Sequence, residues 1–151
     1  MGRAMRPGFA FSTRFRVRYA EIDSQKVVFN SRYLEYADAA VSEWWEWTGI
    51  DAALGEAWRG TEFHVRRAEV NYLKPFAWGD VVEAWVRLER VGRSSLVQQF
   101  ELLHGETGGL HARIELLVVN VHLPTGRPAP IAGEVRAFLE AVAAGQPERV
   151  A

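Results

Sequence analysis

The chain predicts an α+β fold in which one long helix lies on one antiparallel sheet. Three observations carry this. Residues 9–19 alternate with a period of two: Phe9, Phe11, Phe15, Val17 and Tyr19 fall on odd positions, and Arg14, Arg16 and Arg18 on even ones. That is the pattern of a strand with one buried face. Residues 31–48 then switch to helical spacing, with Tyr33, Ala37, Ala40, Val41, Trp44 and Trp45 along one side. Beyond them, four more strand-like segments are separated by turn chemistry, which invites the sheet to wrap the helix.

Each element has a local reason. Ser31 is placed as the N-cap of the long helix and Gly49 as its C′ residue. The helix is roughly 27 Å long at about 1.5 Å per residue. Tyr36, Ala39 and Trp47 widen its apolar face, which implies burial on more than one side. Asp51 caps a short second helix over residues 52–58, ended by Gly60. The four later strands are expected at residues 63–73, 81–91, 95–104 and 110–122. In the second of these, Ala84, Val86 and Leu88 alternate with Glu83, Arg87 and Glu89. Lys74-Pro75 to Gly79-Asp80, Gly92-Arg93-Ser94, and Gly105 to Gly109 supply the turns. Pro124-Thr125-Gly126 ends the last strand, and Ile131, Val135, Phe138, Leu139 and Val142 predict a C-terminal helix. The expected organisation is a flexible N-terminus (1–8), one domain (9–144) and a flexible tail (145–151).

Bulk properties exclude several classes. At 151 residues this is one domain with room for a core. A formal net charge of −1 gives no general attraction to nucleic acid or to anionic lipid. Without cysteines there is no thiolate catalysis, disulfide or Cys-ligated metal. His64, His104, His111 and His122 lack metal-binding spacing, so neither a metal nor another cofactor is expected. No apolar stretch is long enough to span a membrane, and Met1–Gly8 lacks a signal peptide's apolar region. The expected localisation is cytoplasmic. Walker, Rossmann and Gly-x-Ser-x-Gly motifs do not occur, which excludes an α/β-hydrolase.

The most informative run is Arg18-Tyr-Ala-Glu-Ile-Asp23-Ser-Gln-Lys-Val-Val-Phe-Asn30-Ser-Arg-Tyr33-Leu-Glu-Tyr36. It places Asp23 at a strand-to-helix connection, close to a helix N-terminus whose unpaired N–H groups favour negative charge. That pairing suits acyl transfer: the carboxylate attacks or activates water, and N–H groups hold the developing oxyanion. Glu21, two residues earlier, reads as a solvated strand-end residue. By spacing alone, the favoured reading of Asp23 is an Asp that satisfies the N–H groups of a local turn.

Asp23, Val27, Val28, Phe29, Asn30 and Tyr33 together resemble the motif of the hotdog-fold acyl-CoA thioesterases, in particular the 4-hydroxybenzoyl-CoA thioesterase and YbgC-like group. The resemblance implies an antiparallel sheet wrapped around a central helix. It also implies a homodimer with sheets joined edge to edge, often assembled into a homotetramer. The implied activity is acyl-CoA hydrolysis, with acyl carrier protein as the alternative carrier of the acyl group. Asp23 is then nucleophile or general base, and a backbone N–H around Phe29, Asn30 and Ser31 polarises the thioester oxygen. Val28 and Tyr33 line the acyl pocket. Arg93, Ser94 and Ser95 form the basic turn that meets coenzyme A phosphates, with Arg66 adding to that patch from a neighbouring strand or subunit. Two residues depart from the family pattern. Asn30 stands where relatives commonly carry His or Tyr, and Lys26 where they often carry Gly. These departures keep a rival open, a hotdog protein that binds an acyl thioester without cleaving it. A His-dependent dehydratase fits poorly, because no His precedes Phe63. An assembly protein built on Trp44, Trp45 and Trp47 is compatible with either.

Overall fold

The computed structural model describes residues 6–149. The chain runs β1 (Phe11–Arg16), α1 (Arg32–Thr48), α2 (Ile50–Leu54), α3 (Glu56–Arg59), β2 (Phe63–Tyr72), β3 (Val81–Val91), β4 (Ser95–His104), β5 (Leu110–His122), β6 (Arg127–Pro128) and α4 (Gly133–Ala144). The sheet is antiparallel in the order β1-β3-β4-β5-β2, with short β6 paired to β5. It curls around α1 in the hotdog arrangement. Residues 1–5 and 150–151, part of the expected flexible ends, lie outside the described residues. Of the rest of those ends, Gln146 bonds both the N–H and C=O of Leu88, and Arg6 pairs with Glu101.

Alternation builds the core. Ala84, Val86 and Leu88 of β3 and Leu96, Phe100 and Leu102 of β4 are fully buried in one cluster. Tyr33, Tyr36, Ala37, Ala40 and Trp44 of α1 pack on them. The small Ala37 and Ala40 let helix and sheet approach, while Trp44 fills the far end. Burial of a side chain of this size contributes roughly 1.5–3 kcal/mol. The opposite sheet face carries a second, smaller cluster of Phe9, Trp85 and Leu103.

Several boundaries differ from expectation for identifiable reasons. The first strand stops at Arg16, because residues 18–21 close a 3-10 turn in which the Glu21 carboxylate accepts the Arg18 N–H at 2.9 Å. Phe9 precedes the strand and packs on the opposite face from Phe11 and Phe15. The single helix expected over 52–58 is two, broken at Gly55, whose backbone has φ 53°. Ser31 holds the N-cap position of α1 but makes no side-chain cap bond. Gly49 ends α1 at φ 72°, as a C′ glycine does.

The loop ahead of α1 is fixed from the β2–β3 connection. Phe76, in the β2–β3 connection, is fully buried. Its carbonyl accepts the Val28 N–H at 2.9 Å, and its own N–H donates to the Tyr33 hydroxyl at 3.3 Å. The connection thereby ties the loop before α1 to the first turn of α1. Truncation by Phe76→Ala should lower unfolding free energy by about 3–5 kcal/mol, read from the urea midpoint at unchanged slope. A loss below about 1 kcal/mol, small against that cavity cost, would show that the site end folds without this anchor.

Candidate active site

Residues 22–30 form the loop ahead of α1. An Ile22–Val28 bridge pinches it at its base, the Asp23 N–H donates to the Val27 carbonyl, and the Lys26 N–H closes a turn onto the Asp23 carbonyl. The Asp23 carboxylate accepts the Gln25 N–H at 2.8 Å, the turn chemistry expected of an Asp here. That bond occupies one oxygen and orients the side chain. Lys26 sits at φ 67°, the sole positive-φ residue other than glycine among the described residues. The left-handed conformation explains why glycine suits this position, since a side chain there is strained.

A groove of about 530 Å3 runs beside this loop, lined by Asp23, Val27, Val28, Phe29, Asn30 and Tyr33 and walled by Tyr72, Lys74 and Pro75. The fold therefore brings together five residues singled out from the sequence: Asp23, Val28, Phe29, Asn30 and Tyr33. Their roles divide by backbone bonding. The Phe29 N–H is already donated, to the Glu21 carbonyl at 2.9 Å. The Asn30 and Ser31 N–H groups meet no acceptor among the described residues. The Asn30 carbonyl accepts the Tyr72 hydroxyl at 2.8 Å. Tyr33 is buried, and burial raises its phenol above the ordinary range; it enters the groove as a neutral ring.

Glu21 is not a solvated strand-end residue. It is 4% exposed and accepts from the Arg18 N–H, the Arg18 guanidinium and the Tyr36 hydroxyl. Burial alone would raise its pKa, but these donors together hold it below the ordinary value. Burial and the same carboxylate push the Tyr36 phenol far up. Glu21 is thus a structural carboxylate that pins the loop to α1.

Arg93, Ser94 and Ser95 lie elsewhere. They form the β3–β4 hairpin at the opposite end of β3, where the Ser94 carbonyl accepts the Asn120 N–H. Eleven residues of strand separate the two ends, roughly 33–36 Å at about 3.3 Å per residue. Arg66 occupies a bulge on β2, between Val65 and Arg67. Neither Arg66 nor Arg93 has an ion pair among the described residues. His64 is exposed, 3.5 Å from Glu62.

Sequence reasoning missed the groove's second wall. Tyr72, Lys74 and Pro75 read only as the end of a strand and a turn. His111 is also at this end: its carbonyl accepts the Leu73 and Lys74 N–H groups, and its ring stacks on Phe76 at 4.4 Å. A register shift near Leu103 lets Ala112 enter the core while Leu110 joins the outer cluster, an irregularity that period-two reading does not anticipate. Burial, reinforced by nearby His104, holds the His111 imidazole below its ordinary pKa. Among the described residues no group of three or more His, Asp or Glu is placed to hold a metal, and no helix is long and apolar enough to cross a membrane.

Residues 17–139 match the thioesterase-like superfamily. The chain belongs to that family. It is 27% identical over 132 residues to the long-chain acyl-CoA thioesterase FadM of Escherichia coli (strain K12), covering 85% of this chain and 96% of FadM. Among solved structures, a hypothetical protein from Thermus thermophilus superposes with a TM-score of 0.75 at 30% identity, covering 87% of this chain and 98% of the other. A second protein from Thermus thermophilus, a thioesterase complexed with coenzyme A and Zn, gives 0.73 at 29% identity, covering 91% and 97%. The hotdog fold and the expected acyl-CoA thioesterase are both supported by these likenesses.

Two outcomes follow from the loop. Replacing Lys26 by Gly should raise unfolding free energy by about 0.5–1 kcal/mol, seen as a higher denaturation midpoint; a lower midpoint would contradict strain at this position. Glu21, with a lowered folded pKa, stabilises fully above its ordinary value of 4.5 and loses that contribution as pH falls through the folded value. Stability of Glu21→Gln should therefore be lower at neutral pH by about 1–3 kcal/mol and should fall less steeply below about pH 4.5 than wild type. Parallel pH curves for the two proteins would contradict this.

Proposed function

We propose that this protein hydrolyses acyl-CoA thioesters in the groove between the Asp23 loop and residues 72–75. The observation that carries the reading is one groove lined by Asp23 and Asn30, with the unpartnered N–H groups of residues 30 and 31 following at the mouth of α1. The thioester carbonyl directs its oxygen at those N–H groups and its carbon toward Asp23. Asp23 either attacks the carbon, giving an anhydride that water then opens, or takes a proton from the attacking water. In both routes the tetrahedral oxyanion collapses with loss of coenzyme A thiolate, which is then protonated. The N–H donors act where charge develops, so their contribution falls on the transition state. Because the Phe29 N–H is engaged, Asn30 and Ser31 are the donors, and Phe29 contributes its half-exposed ring to the groove.

A second copy of the chain completes this site. β2 ends the sheet with an open edge, and long open edges are liabilities that pairing removes. Antiparallel pairing of β2 with itself about a two-fold axis sets the Phe63 end of one copy beside the Tyr72 end of the other. The partner's Arg66 then approaches the groove, with Lys74 of the same chain as a second cation for the coenzyme A phosphates. Arg93, Ser94 and Ser95 sit farther from the edge and take a role only through that partner. Assembly to a homotetramer, cytoplasmic residence and use of acyl carrier protein extend the same reading.

Thiol release from short, long and aromatic acyl-CoA esters tests it. Asp23→Asn should lower kcat by at least about 10²-fold, the typical scale for an acid–base group, with unchanged folding. Full activity in that variant would overturn the Asp23 mechanism. Tight acyl-CoA binding with no turnover by wild type would favour the non-hydrolytic rival.

A further inference from the structure

His111 breaks the alternation of β5. In the ladder with β4, Ala112 faces Leu102 and Leu110 faces Leu103, so His111 is the extra residue of a bulge. On the other side, pairing with β2 ends at Ala112 and Tyr72. The His111 carbonyl then takes the N–H groups of Leu73 and Lys74 at 2.9 and 3.0 Å. The imidazole is 8% exposed, stacks on Phe76 with centroids 4.4 Å apart, and bonds the Pro75 backbone. Backbone and ring of one residue thus hold Leu73, Lys74 and Pro75, which line the groove opposite the Asp23 loop. His111 itself does not line the groove.

The two ring nitrogens differ. The Pro75 carbonyl is an acceptor, so the nitrogen that meets it carries a proton. Nδ1 is buried and has no hydrogen-bond partner among the described residues. The bond to Pro75 therefore comes from Nε2–H, and Nδ1 keeps its lone pair. This tautomer is neutral. A second proton has to sit on Nδ1, where no acceptor meets it. A buried cationic donor without an acceptor is costly enough to drive the ring toward solvent. The titratable and charged groups around the ring do not relieve it. His104 on β4 stands 5.4 Å away, centroid to centroid, and Lys74 is a like charge to a protonated ring. Asp80, the opposing charge, is engaged by His104 Nε2 at 3.3 Å and by the Ala77 N–H at 2.8 Å.

We propose that neutral His111 is a positioning residue for the groove's second wall: its Nε2–H holds Pro75, and a second proton at Nδ1 frees residues 73–75 and weakens substrate binding. This rests on the thioesterase reading above. The wall holds the substrate before and during reaction alike, so its release raises KM more than it lowers kcat. The acid limb of kcat/KM, which reports groups of the free enzyme, then carries the His111 ionisation. Burial holds that ionisation below the ordinary 6.5, so the wall is intact at neutral pH and is released on the acid side.

Two variants and one spectrum of the full chain test this. His111→Gln offers an amide N–H in place of Nε2–H and does not titrate. Its kcat/KM profile for thiol release should lose the acid limb that wild type shows below pH 6.5; the shape of the profile is what is read. His111→Phe keeps a flat ring on Phe76 and deletes the donor. Its KM should rise about three- to tenfold, the scale of one lost hydrogen bond, with a smaller change in kcat. Nitrogen NMR of wild type needs no turnover and no variant. It should show His111 as the neutral Nε2–H tautomer at neutral pH. As the ring takes a proton, exchange protection of the Leu73 and Lys74 amides should drop in step, while that of Val86 and Phe100 in the sheet does not. An Nδ1–H tautomer, a titrating ring with unchanged protection at Leu73 and Lys74, or a His111→Gln profile that keeps the wild-type limb overturns the proposal. If wild type releases no thiol while the tautomer and the coupled exchange are found, the thioesterase reading falls and the grip of His111 on the wall stands.

Discussion

The backbone of Phe76 is the constraint on which the functional end depends. The loop between β1 and α1 has no strand partner of its own beyond the Ile22–Val28 bridge. It is held because the Phe76 carbonyl accepts from Val28 and the Phe76 N–H donates to the Tyr33 hydroxyl. The ring of Phe76 lies between Tyr33 and His111, with centroids at 6.0 and 4.4 Å. A fully buried aromatic thus transmits the rigidity of the sheet to a surface loop. A loop carried this way keeps the Asp23 carboxylate in place without burying it.

The two carboxylates of the loop show how environment assigns roles. Glu21 faces inward and is surrounded by donors from Arg18 and Tyr36, so its charge is spent on holding the loop. Asp23 lines the groove, and the one bond its carboxylate makes among the described residues, from the Gln25 N–H, engages a single oxygen. Two residues apart in sequence, they look alike as text. The 3-10 turn at residues 19–21 is what turns them to different sides. Strand geometry would have put both on one face.

The limits of sequence reading follow the same line. β3, β4 and β5 begin and end where their alternation begins and ends, because each buries one face against α1. The groove's first wall was legible too, since Asp23 through Tyr33 is one contiguous run and contiguity is preserved by any fold. The second wall was not. Tyr72, Lys74 and Pro75 reach the groove only through the pairing of β2 with β5, a contact forty residues away in sequence. Glu21 departs from its expected solvated state because its partners include Tyr36, one helical turn into α1. The one short helix expected is two because Gly55 adopts a backbone that ends one and starts the next. In each case a local pattern was overridden by a tertiary partner or by a single backbone angle.

The central claim is that one thioester carbonyl sits between the Asp23 side chain and the N–H groups at the start of α1. A crystal structure of Asp23→Asn with an intact acyl-CoA bound examines this directly. The expected result is a carbonyl oxygen at about 3 Å from the Asn30 or Ser31 nitrogen, with its carbon facing residue 23 and the acyl chain running past Val28 and Tyr33. An acyl-CoA whose carbonyl lies outside this groove, or whose oxygen is held by side chains elsewhere on the sheet, would contradict it.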